Sequence, residues 1–106
     1  MPLVEPDLSG DWYILEGEPG EHLVMEALGR RLSGLWTQEA LAQAFLARHP
    51  DLGMRVARLE SRALKEAFLR ALSLLGVEAV LVDYQPGVHQ APMAKVEDLL
   101  EEVRRA

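Results

Sequence analysis

A chain of 106 residues, 49% hydrophobic, 26% charged and free of cysteine, is one domain's length and can bury enough surface to fold without disulfides or metal. It has no run of 18 apolar residues, which excludes a membrane-spanning helix, and its acidic, proline-punctuated start (MPLVEPDLSG) is unlike a secretory signal, so a cytoplasmic protein is expected. The net charge of −6 opposes non-specific nucleic-acid binding, whose affinity comes mainly from neutralising phosphates.

Asp11 to Glu16 (DWYILE) is aromatic and aliphatic and reads as a strand, closed by the turn Gly17-Glu18-Pro19-Gly20. Glu21 to Leu28 fits either the second strand of a hairpin or a short helix with Leu23, Val24, Ala27, Leu28 and Arg31 on one face. The turn before it, and Gly29 and Gly34 after it, favour the hairpin, with Arg31 to Trp36 as a third strand. Thr37 is placed to cap a helix over Gln38 to Arg48, which Pro50 ends.

Met54 to Leu59 reads as a strand, and Ser61 caps a helix over Arg62 to Leu75. Its apolar residues Leu64, Ala67, Phe68, Ala71, Leu72 and Leu75 recur at the helical period, with Arg62, Lys65, Glu66 and Arg70 opposite and Glu66 paired to Arg70. Gly76 supplies the stop. Val77 to Asp83 is a mostly apolar run, as in a strand covered on both faces. Tyr84 to Pro92 is loop-like, and Val96, Leu99, Leu100 and Val103 mark a final amphipathic helix. Residues 54–83 therefore have the order and length of a βαβ unit, whose crossover joins parallel strands. The expected fold is a single small α/β domain at the α+β border. Residues 1–10 form an extended segment ahead of it, and a mixed sheet combines an antiparallel N-terminal hairpin with the βαβ unit.

Absence of cysteine and asparagine beside abundant glutamate is the usage expected of a protein selected against thermal damage. No phosphate-binding glycine motif and no nucleophile elbow occur, so no cofactor is expected. His22, His49 and His89 have no metal-ligand spacing, and no metal is expected either. Chemistry, if present, belongs at Asp83-Tyr84-Gln85-Pro86-Gly87-Val88-His89, because ligands of open α/β sheets bind beyond the carboxyl ends of strands. There Asp83 could orient an imidazole, His89 could act as acid or base, and Tyr84 could line a ligand. The alternative is a polar turn in which Asp83 caps backbone amides. Arg55, Arg58 and Arg62 are candidates for holding an anion, against simple pairing with the acidic N-terminal third. Trp12, Tyr13 and Trp36 are candidates for an interface, against simple core packing.

From Leu35 onward the succession of elements resembles the SseB-like α/β family, in the stretches LWTQEAL, ALKEAFLRALSLLGVEAVLVD and QPGV. The chain as a whole also resembles small proteins of the Thermus group. Where the family's turn typically carries Asn-Pro, this chain has Asp83-Tyr84-Gln85-Pro86. The resemblance implies a non-enzymatic binding or accessory module and carries no catalytic residue with it. A domain this small, with its aromatics in short strands, is expected to pair as a homodimer or to dock a protein partner.

Overall fold

Alternation of apolar residues decides which side of the sheet each cluster occupies. In β1 (Trp12–Glu16) the side chains of Trp12 and Ile14 enter one hydrophobic cluster, while Leu15 and half-buried Tyr13 enter another on the opposite face. The computed structural model describes residues 8–18, 21–27, 29–85, 87 and 91–105. Within them, β2 (Met25–Ala27) and β3 (Arg30–Leu35) precede α1 (Glu39–Ala47), and β4 (Arg55–Leu59) follows. Then come α2 (Arg62–Leu74), β5 (Ala79–Val82), β6 (Met93–Lys95) and α3 (Val96–Arg105). The result is a small mixed α/β domain of the α+β class.

Two sheets carry the strands. β1 and β4 form an antiparallel pair, and the other four stand in the order β2-β3-β5-β6. β3 and β5 are parallel in the register Leu32↔Ala79 to Leu35↔Val82, and their outer neighbours are antiparallel. Tyr13 and Trp36 join the sheets by exchanging two backbone hydrogen bonds of 2.8 Å. Helices α2 and α3 cover the face holding Trp12, Ile14, Val80 and Val82, and α1 covers the face holding Leu15 and Trp36.

Residues 54–83 do fold as strand, helix and strand, yet β4 is not the parallel partner of β5. The parallel pair is β3 with β5. β3 buries four successive residues, Leu32 to Leu35, as an interior parallel strand requires. β4 buries only Leu59 and exposes Arg55 and Arg58, which pair with Glu16 of β1 and with Asp11 just before it. The expected hairpin after β1 exists as one bridge, Glu16 to His22, and β2 pairs mainly with β3.

Helix details differ from the sequence reading in three places. The first residue outside α1 is Gln38, without a side-chain cap bond, because Thr37 is engaged elsewhere. Leu64, Ala67 and Leu75 of α2 are exposed, and Leu69 is buried beside Phe68 and Leu72. Lys65 faces inward instead, its ammonium 4.9 Å from the Trp12 ring and donating to the Gly10 carbonyl. Glu66 pairs with Arg104 of α3 at 3.2 Å, not with Arg70. Ser61 does cap α2, accepting from the Leu64 amide, and Gly76 ends the turn at φ 76°.

Gly34 is compelled by packing. A Cβ there would lie 2.6 Å from Cη2 of Trp36. That indole cannot yield, because it is fully buried and its Nε1–H donates to the Tyr84 carbonyl at 2.9 Å.

Candidate functional site

The carboxyl ends of the parallel strands β3 and β5 bring together Trp36, Thr37, Asp83, Tyr84 and Gln85. Asp83 follows β5 directly and has a left-handed backbone, φ 56°, a conformation that Asp tolerates better than most residues. Its amide donates to the Leu35 carbonyl at 2.9 Å. Its two carboxylate oxygens accept from the Thr37 amide at 2.7 Å and the Thr37 hydroxyl at 2.9 Å. Asp83 thus ties the end of β5 to the β3–α1 connection, and neither oxygen is left without a donor.

The surrounding groups close the same end of the sheet. Gln85 donates to the Leu41 carbonyl of α1 at 2.6 Å. Phe45 of α1 lies 5.0 Å from the Trp36 ring and 6.0 Å from the Tyr84 ring, centre to centre, and His49 stacks on its other side at 4.3 Å. The His49 Nδ1–H donates to the Phe45 carbonyl at 3.0 Å, as suits an imidazole at a helix C-terminus. These are aromatic packing and side-chain-to-backbone bonds, which lock a connection in place. His89, the proposed acid–base partner of Asp83, lies outside the described residues, as do Pro86 and Val88.

The other sequence candidates separate. Trp12 and Trp36 are 2% and 0% exposed and belong to clusters on opposite faces, so they form core and not a surface patch. Tyr13 and Tyr84 are half-buried on the α1 side. Arg55 and Arg58 are taken up by Glu16, Asp11 and Glu60. Arg58 is held in its charged form by the Asp11 hydrogen bond and charge. Arg62 lies at the start of α2. Among the described residues no three His, Cys, Asp or Glu side chains gather as metal ligands, and no helix is long and apolar enough to cross a membrane.

Hollows lie elsewhere among the described residues. One of about 440 Å³ lies at the amino ends of β3 and β5, lined by Arg30, Leu32, Val77, Ala79 and Leu100. A groove of about 810 Å³ runs between residues 8–12 and the helices, with Arg62, Lys65, Asp98 and Glu102 along it. Both mix charges of either sign, and neither is at the end where the strand carboxyls converge.

His22, which the sequence offers only as a histidine without metal-ligand spacing, is partly buried. Its ring stands edge-on to Phe68, 5.3 Å between centres, and its buried Nδ1 has no hydrogen-bond partner among the described residues. Burial lowers its pKa below the ordinary 6.5, and nearby Glu16 partly offsets this. The folded state therefore holds His22 neutral, while the unfolded chain takes up the proton first as pH falls. Its contribution is intact above about pH 6.5 and declines as pH drops towards the folded value. Urea melts at pH 7.5 and 5.5 are expected to show a larger acid loss for the native chain than for His22→Leu. Equal losses would remove His22 as the cause.

The fold and this closed strand end define a class: a small α+β domain whose polar constellation serves the fold's own connections. The chain belongs to the family described as protein of unknown function (DUF3234), whose model matches residues 9–100. No curated protein matches it.

Proposed function

We propose that the protein is a non-catalytic interaction or accessory module that works through an apolar surface. The observation that carries this reading is the contrast between its two kinds of surface. Both Asp83 oxygens are consumed by Thr37, whereas α2 presents leucines to solvent, with Leu74 90% exposed. Exposed apolar side chains gathered on one element mark an association surface more often than a catalytic one. The resemblance to the SseB-like family, with its implied accessory role, supports the same conclusion, and a cytoplasmic homodimer or protein complex is the setting it suggests.

The competing small-molecule reading is tested at the strand ends. Amide signals of Thr37, Asp83 and Tyr84 are followed by NMR during titration with phosphate, acetate and a mixture of small carboxylates. We expect them to stay in place. Saturable shifts confined to these residues would overturn the module reading in favour of a ligand site.

A further inference from the structure

The outward half of α2 is apolar over a continuous arc. Around the helical wheel, Ala63, Leu74, Ala67, Ala71, Leu64 and Leu75 fall together within about 120°. Leu64, Leu74 and Leu75 are 44%, 90% and 39% exposed. Phe68, Leu72 and Leu69 continue the arc into the core. The apolar arc of the helix is thus wider than the part the core covers.

Leu64, Ala67, Ala71 and Leu74 follow the alternating spacing of three and four by which helices pack on helices. The stripe is also symmetric about residue 69. Reversing the helix exchanges Leu64 with Leu74, Ala67 with Ala71 and Ala63 with Leu75. In an antiparallel two-fold pairing centred there, each of these residues meets on the partner the one that it exchanges with, so at 64 and 74 leucine meets leucine and at 67 and 71 alanine meets alanine. Large residues at the ends and alanines in the middle allow close approach at the centre.

Resting on the module reading above, we propose that the outer face of α2 is a self-association surface, occupied by α2 of a second copy packed antiparallel. The face is about 20 Å long. Two copies then bury on the order of 1,000 Å² in total, the small end of specific interfaces and the range of weak, concentration-dependent dimers.

Sedimentation velocity across low to high micromolar concentration tests this, with far-UV circular dichroism to verify folding. The native chain is expected to pass from monomer to dimer. Leu74→Glu should remain folded, since the side chain is already in water, and weaken the dimer on the order of tenfold or more. Register is tested by disulfide trapping, for which a chain without cysteine is suited. Mixed Ala67→Cys and Ala71→Cys proteins should cross-link to each other in preference to themselves. A monomer at every concentration overturns the proposal and leaves this face to a foreign protein. A dimer indifferent to Leu74→Glu overturns the α2 surface while leaving the module reading intact. Self-cross-linking at position 67 overturns the antiparallel register.

Discussion

Phe68→Ala is expected to destabilise the fold by about 3–5 kcal/mol, the cost of removing a buried phenylalanine whose surroundings cannot collapse. Phe68 sits at 3% exposure where α2 meets the sheet, next to Leu69 and Leu72 and against the His22 ring. Leu64→Ala supplies the contrast. The sequence period puts Leu64 on the same face, whereas the structure leaves it 44% exposed, so its loss is expected to be within about 1 kcal/mol in dilute protein. Denaturant melts of the two variants at one pH decide the matter. Similar losses would mean that the covered face of α2 is centred on Leu64.

The second large effect belongs to Asp83. Asp83→Ala removes a charge-assisted acceptor from both the amide and the hydroxyl of Thr37 and puts alanine at φ 56°. Lost bonds to a charged group cost about 1.5–3 kcal/mol, and the left-handed backbone adds about 1–2 kcal/mol for a residue without a local polar side chain. A total near 3 kcal/mol is expected. Asp83→Asn keeps a carbonyl acceptor and tolerates the backbone, and should lose less than half as much. Thr37→Val should fall between them, because it removes the hydroxyl bond and leaves the amide bond. If Asp83→Ala melts like the native chain, the carboxylate is free for another task, and the strand end regains its interest as a ligand site.

Local signals were legible wherever one residue type acts on its immediate neighbours. Ser61, Gly76 and the apolar run through Val80 and Val82 mark their elements because capping, chain reversal and two-sided burial leave a short-range imprint. Pairing across distance left none. Residues 54–83 show a strand, a helix and a strand, but β5 pairs with β3, more than forty residues earlier in the chain, and β4 pairs with β1. The covered face of α2 is hard to read for a different reason: its apolar arc is wider than the part the core covers, and Lys65 on the core side disguises where that part lies. β6 escaped notice because three residues of an edge strand hold too few side chains to show alternation.

At the strand ends, the sequence offers Asp83 either as a partner for His89, which lies outside the described residues, or as a cap for backbone amides, and the Thr37 amide fits the second. Asp83 stands out as an acid after a buried strand, the position that a functional group would occupy. Its actual counterpart, Thr37, reads as a helix cap because Thr before a helical stretch ordinarily is one. Only the parallel placement of β3 beside β5 brings the two together.

The contact between Gly34 and the Trp36 indole reaches beyond this one molecule. Any relative with this backbone that keeps tryptophan at the second position must keep glycine at the first, because the missing Cβ is the space the ring occupies. A smaller residue in place of the tryptophan releases the glycine. The constraint therefore runs one way: the tryptophan fixes the glycine, whereas the glycine leaves the second position free to shrink.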